Sequence, residues 1–599
     1  NYTFSVNGVS ATENAVPFVI QGGDRHSNTL HIQFTFNKLL ITDKKEEVDI
    51  IDDNEDLNFT KIDEISRKLN IEPDDERRIK ACIIYIMKKL CYSNGDTYLS
   101  IDEILKNVSS YLRIEIDFEE FEYYMFKLVE ERKIIRKNEY YYLIELWEAE
   151  EYVAEKIVML ASKEPTKYNK IDNYIEGLEK FSGITYNPKQ KEAIKKALEN
   201  NVLIITGGPG TGKTTIIKAI TDLYSDINKL DYEGLTNKLC LLAPTGRASK
   251  RMSESTHLPA MTIHRFLKWN KETGEFGINE YNKDYSHLII IDEVSMIDIN
   301  LFHNLLKGLT DNIKLILVGD YNQLPSVGPG NVLKELIDSE IIDTVHLDLL
   351  YRQDENSYIN TLALEIKNND LSENYLEKKS DYNFLTCSGE SLKSNLKKIC
   401  SQVIEKGYDY KRLQLMAPMY HGENGIDNLN KELQSIFNPE ADNKKELNLG
   451  DITYRENDKI LQLVNMPDEN IYNGDIGVIK DIVYANKSKS GKNEIHIDFD
   501  GNLVSFTPKD FNKFKHGYII SIHKSQGSEF EMVIMPICNS YRRMLYRKLI
   551  YTGITRAKKK LILLGEANAF KFSVTNNIEY IRKTSLLEKI TNNLYKNKK

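Results

Sequence analysis

The chain has 599 residues, 41% of them apolar and 28% charged, an ordinary globular balance that excludes bulk disorder and collagen-like fibre and suggests about four domains. No apolar run approaches the roughly 18–20 residues needed to span a bilayer, so no membrane partner is expected. Eighty Lys and Arg against 89 Asp and Glu leave a net charge of −9, which excludes whole-molecule attraction to phosphate but not a local basic track.

No basic-then-apolar leader opens the sequence, and its first residue is Asn1 rather than Met. The six cysteines are scattered without a CxxC pair, which argues against a zinc ribbon and fits a reducing, cytoplasmic compartment. In chain order, residues 29–41 place Leu30, Ile32, Phe34 and Phe36 on one face at period two, the pattern of a strand. The run 43–58 is dominated by carboxylates and reads as a solvated linker, so 1–58 form an N-terminal strand segment with an acidic tail. From 59 to 180 the pattern is mainly helical. Ser100 and Glu103 form a capping box, and 133–145 reads as a hairpin after a helix at 117–132. Helices followed by a hairpin suggest a winged-helix-like module, serving either packing or DNA reading.

After Pro165 short β-branched runs alternate with helices. The runs 202–206, 238–244, 287–292 and 314–320 are continuously apolar, as strands buried on both faces must be. A second set follows at 413–418, 531–537 and 559–566, enclosing an all-β stretch at about 447–515 that is broken by Gly and Asn turns. The expected fold class is therefore α/β, with two parallel-sheet layers and a β insert in the second.

The strand at 202–206 runs into Gly207, Gly208, Pro209, Gly210, Thr211, Gly212, Lys213, Thr214 and Thr215, then a helix. This is a phosphate loop in its required setting: the glycines let amides turn toward phosphate, and the helix N-terminus adds positive potential. Lys213 is placed to contact β and γ phosphates, and the Thr214 hydroxyl to ligate Mg²⁺. A later strand ends at Asp292 and Glu293, placed to hold Mg²⁺ through water and to deprotonate the attacking water. Charge on the transferring phosphoryl group needs a cation, for which Arg352 and Arg556 are the candidates.

Taken together, the ordered motifs resemble the RecD-like branch of superfamily 1 helicases. YNPKQKEAI (186–194) resembles the adenine-sensing segment, with Gln190 as its glutamine. LLAPTGRASKRM (241–252) and TIHRFL (262–267) are similar to strand-contacting motifs, IIIDEVSMID (289–298) to the Mg²⁺ motif, and LVGDYNQLPSVGPGNVL (317–333) to the coupling motif, with Gln323 as γ-phosphate sensor. YRQ (351–353), NGDIGVI (473–479), SIHKSQGSEF (521–530) and YTGITRAKK (551–559) complete the order. The resemblance covers about 60–570. It implies RecA-like motor domains at 181–349 and 350–570, an SH3-like insert at 447–515, and a C-terminal tail at 571–599. It also implies ATP bound between the motors and 5′-to-3′ movement on single-stranded DNA in repair or recombination. Duplex junctions and repair or replication proteins are the implied partners. The region 62–90 looks like the tail of the family's helix-hairpin-helix repeats and the helices after it, and no paired-carboxylate nuclease motif accompanies the motor.

The window 540–560 holds eight cations and no carboxylate, a basic region hidden in the negative average. Half of these cations are assigned to a solvated helix face. Better strand contacts are Thr245, Gly246 and Arg247, with His264, facing His523, Lys524 and Ser525, because short polar groups at strand ends can hold a sugar-phosphate path. His264 taken alone would read as a core histidine. The polar segment 267–287 is expected to turn a hairpin around Glu272–Gly274; in the resembled branch a hairpin here is a pin that parts the strands, and otherwise it is an exposed loop. Two other functions remain open: an ATP-switched nucleic-acid-binding module without processive unwinding, and an RNA-directed helicase.

Overall fold

The computed structural model describes residues 72–599 apart from 271–272, 348–356, 467–468, 470, 577–580 and 598–599; before residue 72 it describes four short strands, Phe59 and Asp63. The acidic run 43–58 lies outside the described residues. So does Arg352, with the whole of YRQ. The chain forms two compact units, Asn1–Glu148 and Ala149–Lys599.

In the first unit β1 (Tyr2–Val6) pairs antiparallel with β2 (Val9–Glu13), and β3 (Phe18–Gln21) with β4 (His31–Phe34), so the strand predicted over 29–41 is realised in its first half, 35–41 lying outside the described residues. The helix Glu76–Asn94 leads to β5 (Tyr98–Ser100), the helices Ile101–Leu112 and Phe118–Glu130, then β6 (Ile134–Lys137) and β7 (Tyr140–Leu143). The predicted capping box is formed: the Glu103 amide donates to Ser100 Oγ at 3.4 Å and the Ser100 amide to Glu103 Oε2 at 3.1 Å. The three strands make an antiparallel sheet in the order β5-β7-β6, the connectivity of a winged helix. Its third helix carries Glu119, Glu120, Glu122 and Glu130 against Lys127 alone, a charge pattern that opposes a phosphate backbone and favours the packing reading.

The second unit is built on two parallel sheets. The first comprises β8 (Val202–Gly207), β9 (Leu239–Ala243), β10 (Ala260–Thr262), β13 (Leu288–Ile291), β14 (Lys314–Gly319) and β15 (Thr344–Leu347), ordered β10-β9-β13-β14-β8-β15. A small hairpin, β11 (Trp269–Asn270) with β12 (Glu275–Phe276), interrupts the sequence between β10 and β13. Ile289, Ile290 and Ile291 are fully buried, so each contributes roughly 1.5–3 kcal/mol from apolar burial, which is why a sheet covered on both faces demands unbroken apolar runs. Ile171, Ile175 and Leu178 pack into this same core with Ile194 and Leu203, so the first motor core begins some way before the expected boundary at 181.

The second sheet comprises β16 (Tyr382–Thr386), β17 (Leu413–Ala417), β25 (Ile519–Ser521), β26 (Phe530–Ile537) and β27 (Ala557–Gly565), ordered β16-β27-β26-β17-β25. Between β17 and β25 the chain forms the hairpin β18 (Glu446–Leu449) and β19 (Ile452–Arg455). A five-stranded antiparallel sheet follows: β20 (Lys459–Gln462), β21 (Ile476–Val483), β22 (Glu494–Phe499), β23 (Asn502–Phe506) and β24 (Phe514–His516). This is the expected β insert, with a core of its own around Ile460, Ile479, Ile497 and Phe506. Within the expected C-terminal tail, the helix Leu586–Asn597 buries Leu586 and Ile590 completely. Among the described residues no helix is long and apolar enough to cross a membrane.

Candidate active site

Topology assembles the first half of the cleft. β13, β14 and β8 are neighbours, so the segments leaving their C-terminal ends converge where open α/β sheets bind ligands. β8 delivers the glycine loop, β13 delivers Asp292 and Glu293, and β14 leads to Gln323. Gly210 and Gly212 take φ of 77° and 89°, the left-handed region in which a side chain is strained, and a Cβ at Gly212 would lie 2.4 Å from Gln190 Nε2. Gln190 caps its helix with Asn187 and donates to the Thr211 carbonyl at 3.2 Å, fixing the loop's far side. Lys213 Nζ donates to the carbonyls of Gly207 (2.7 Å) and Gly208 (3.0 Å), and Thr211 Oγ1 to Gly208 at 2.8 Å.

The other half comes from the N-terminal ends of the adjacent strands β26 and β27, which bring Glu529 and Arg556. Arg556 is buried; its Nη2 donates to Gln323 Oε1 at 2.7 Å, Nε to the Thr552 carbonyl at 3.0 Å and Nη1 to the Ser528 carbonyl at 3.2 Å. The result is a cleft of about 490 Å³ whose lining includes Pro209, Lys213, Thr214, Thr215, Asp292, Glu293 and Gln323 from one sheet and Glu529 and Arg556 from the other. Next to it, the Leu324 amide donates to Thr552 Oγ1 at 3.0 Å, Gln526 Nε2 to the Leu324 carbonyl at 3.0 Å, and Tyr551 to Asp320 at 2.9 Å.

Two charged residues in this cleft were not singled out by motif reading, Arg251 and Glu529. Arg251 donates to Glu293 Oε1 at 2.9 Å and lies 3.8 Å from both Asp292 and Glu529. Burial works against its charge, but these three carboxylates outweigh it and hold the guanidinium above its ordinary pKa. Burial also penalises Glu293, yet Arg251, Arg556 and Lys213 together keep its carboxyl below the ordinary value. Asp292 is pushed up, by burial first and by Glu293 next. Both residues sat inside quoted motifs, at positions whose partners are distant in sequence.

Four family models match the chain: the AAA domain over 190–329, the UvrD-like helicase C-terminal domain over 516–564, the ATP-dependent RecD-like DNA helicase SH3 domain over 429–499, and the ATP-dependent RecD2 DNA helicase HHH domain over 45–98. The ATP-dependent RecD2 DNA helicase of Deinococcus radiodurans is 28% identical over 547 residues, 90% of this chain and 72% of that one. The RecBCD enzyme subunit RecD of Buchnera aphidicola is 27% identical over 517 residues, 74% of this chain and 82% of its own. Together these matches make the chain similar, along most of its length, to the RecD-like branch of the superfamily 1 helicases. The crystal structure of Pif1 helicase from Candida albicans overlaps 69% of this RecD-like chain and all of that one, at 17% identity and a TM-score of 0.41, an overlap too loose to add to the assignment. The helix-hairpin-helix match begins at 45, earlier than the tail expected from 62.

The predicted strand contacts of this RecD-like chain fall into two groups. Thr245 caps the helix Gly246–Thr256, and its hydroxyl lies against Gly527. Gly246 abuts Tyr472, whose ring leaves no room for a Cβ. Arg247 donates to Asp475 at 3.3 Å and Ser528 at 2.7 Å, while Lys524 donates to Asn473 at 2.8 Å. Three of the six residues from the two motifs, Gly246, Arg247 and Lys524, are thus gathered round the loop 472–475. His523 is half-buried, and burial holds it below the ordinary imidazole value, hence neutral at pH 7. Ser525 is fully buried and donates to the Ile522 carbonyl at 2.7 Å. His264 lies apart. It is exposed, not a core histidine, and its ring is 6.1 Å from Phe276 of the β11–β12 hairpin.

The hairpin is present where predicted, with Trp269 packed on Phe276 at 4.7 Å. Ile278, two residues past the second strand, is buried core. The basic window is less open than its composition suggests. Arg556 lines the cleft, Lys558 pairs with Glu529, Lys559 pairs with Glu531, Arg547 donates to Val574, and Arg542 covers the Phe572 ring.

Proposed function

We propose that this chain is an ATP-driven DNA helicase that travels 5′ to 3′ on single-stranded DNA, in repair or recombination. The hydrogen bond between Arg556 of one motor and Gln323 of the other, over the loop that holds Lys213, carries this reading: it gives the cleft a closed form that a γ-phosphate between the two side chains can stabilise. Lys213 exchanges its loop carbonyls for phosphate oxygens. Glu293, kept ionised by Arg251, takes the proton from the attacking water. Arg556 offsets the charge that develops on the γ-phosphoryl oxygens. Arg352 is proposed as a second such cation on its sequence context alone.

Thr214 and Asp292 line the same cleft, an all-oxygen donor pair that suits Mg²⁺ with phosphate and water completing its shell. Bound there, Mg²⁺ supplies positive charge to the phosphate oxygens. We assign Thr245, Gly246, Arg247, His523, Lys524 and Ser525 to the single-strand track, and His264 with the hairpin to the point where the duplex parts. Domains are assigned as 59–170 for the N-terminal helical region, 171–349 and 350–570 for the motors, the first extended upstream from 181 to include Ile171, and 447–515 for the insert. Six scattered cysteines without a CxxC pair suit a cytoplasmic setting.

Strand displacement on 5′-tailed DNA, 3′-tailed DNA and RNA duplexes tests the whole reading, with Lys213→Ala as control. Unwinding of the 5′-tailed DNA alone, lost in the control, is expected. ATP hydrolysis without displacement would favour a nucleotide-switched binding module, and activity on RNA alone an RNA-directed motor.

A further inference from the structure

The coupling motif does not end at Gln323. The chain continues through Leu324 to the loop Ser326–Gly330, buried at Ser326, Pro329 and Gly330 and open at Val327, before the helix Val332–Asp338. This loop is wedged against the start of another helix, Ile299–Lys307: the Ile299 amide donates to the Pro329 carbonyl at 2.9 Å, and a Cβ at Gly328 would lie 2.5 Å from Asp298 Oδ2. Gly330 has φ of 96° and sits against Ile299, so neither glycine tolerates a side chain. Three of the loop's carbonyls therefore point away from regular structure and need donors.

Those donors come from the far end of the sequence. Arg582 Nη1 donates to the carbonyls of Gly330 at 2.7 Å and Gly328 at 3.0 Å and to Ser326 Oγ at 3.1 Å, while Nη2 donates to the Ser326 carbonyl. A planar guanidinium can satisfy four acceptors at once, which an ammonium cannot do with the same geometry. The segment behind it is anchored. Ser585 donates to Glu150 through its amide (3.0 Å) and hydroxyl (2.5 Å), Lys589 pairs with Glu150 at 3.3 Å, and the Leu587 amide donates to Glu335 at 3.2 Å. Arg582 lies beyond the matched helicase C-terminal region, which ends at 564.

The clamped loop stands between the two sites. At one end Gln323 meets Arg556 in the nucleotide cleft. At the other, Gly328 packs against Asp298; burial lowers the His264 imidazole pKa and Asp298 opposes it, and the His264 ring lies 6.1 Å from Phe276 of the hairpin. A loop free to flex would absorb a shift of Gln323; one with its carbonyls pinned passes the shift on, because packed elements switch between arrangements instead of deforming continuously. We propose that Arg582 is a positioning residue for the ATP-driven step, holding Ser326–Gly330 so that movement at Gln323 reaches Asp298 and the hairpin. The proposal rests on the helicase reading above.

The test measures DNA-stimulated kcat, KM for ATP and base pairs unwound per ATP in the full chain, for wild type, Arg582→Ala and Arg582→Lys, with thermal melting of each. For Arg582→Ala, kcat and KM should stay within about twofold while base pairs per ATP fall about fivefold or more, with Arg582→Lys intermediate. Base pairs per ATP equal to wild type would overturn the proposal. So would equal losses in kcat and unwinding, which would make Arg582 a support of the cleft. If Arg582→Ala melts early, Arg582→Lys with normal melting decides by the same ratio. A wild type that hydrolyses ATP without unwinding removes the helicase reading itself, whereas a wild type that unwinds and an Arg582→Ala that matches it removes only this inference.

Discussion

Arg247 and Arg251 stand one turn apart on the helix Gly246–Thr256, so their side chains leave the same face, and they are similarly exposed at 22% and 28%. Their surroundings differ. Arg251 enters the nucleotide cleft and meets three carboxylates, which hold its pKa above the ordinary value. Arg247 points to the strand side and meets one nearby carboxylate, Asp475; there burial prevails and its pKa is lowered. The nucleotide cleft thus sets three carboxylates, Asp292, Glu293 and Glu529, against three cations, Lys213, Arg251 and Arg556, an arrangement that keeps a general base ionised. The strand side carries positive charge balanced by fewer acids, so its cations are tied by neutral partners such as Ser528 and Asn473.

The largest expected effect lies in the cleft. Glu293→Gln should bind ATP and lose hydrolysis by about 10²–10⁴-fold, because a carboxamide cannot accept the proton from water. Single-turnover hydrolysis with nucleotide-binding measurements checks both halves; hydrolysis at the wild-type rate would place the base elsewhere and break the contrast. Next comes the hairpin. Replacing 270–276 with a Gly-Ser linker removes the Trp269–Phe276 pair but spares Ile278 in the core. Displacement should be lost while strand-stimulated ATPase persists; a matching fall in ATPase would show that the segment supports the motor fold.

How far each region could be read from sequence follows from where its partners lie. The phosphate loop was legible because its job constrains the backbone itself: Gly210 and Gly212 need positive φ, and Lys213 and Thr214 follow at fixed spacing. The central strands of both sheets were legible because burial on two faces forces continuous apolar runs, whereas the edge strands Ala260–Thr262, Thr344–Leu347, Tyr382–Thr386 and Ile519–Ser521 were not read. Arg251 and Glu529 gave no signal, since what makes them matter is a carboxylate or guanidinium brought across the cleft by folding. The same applies to Arg247 and Gly246: their partners, Asp475 and Tyr472, come from the β insert more than two hundred residues away.

The two arginines can be tested as a pair. Arg251→Ala should lower kcat by roughly tenfold, less than loss of a fully enclosed donor, because the side chain is partly open to solvent and acts through Glu293. Arg247→Ala should leave DNA-independent hydrolysis unchanged. It should reduce the slope of log binding against log salt by well under about one unit, since its charge serves Asp475 as well as any phosphate. A slope change near one would make Arg247 a full phosphate contact. Equal effects of both variants on kcat would remove the division of labour.

The smallest expected effect concerns acids without a surplus of cations. Glu335 is buried beneath the helix Leu586–Asn597; burial first, and Glu150 next, push its carboxyl up to about 7 from the ordinary 4.5. A carboxyl whose pKa rises on folding binds its proton more tightly in the folded state. Its contribution is therefore fully present below pH 4.5 and is lost as pH rises toward 7, a change on the order of 3 kcal/mol. Lys589, paired with Glu150, faces the same cluster and limits that loss. Melting temperatures at pH 5 and pH 8 should then differ more for wild type than for Glu335→Gln, which has no proton to lose, by roughly 5 °C or less in a chain of this size. Identical pH dependence in the two would mean that Glu150 and Lys589 already balance the site, and that the C-terminal helix is held as firmly at pH 8 as at pH 5.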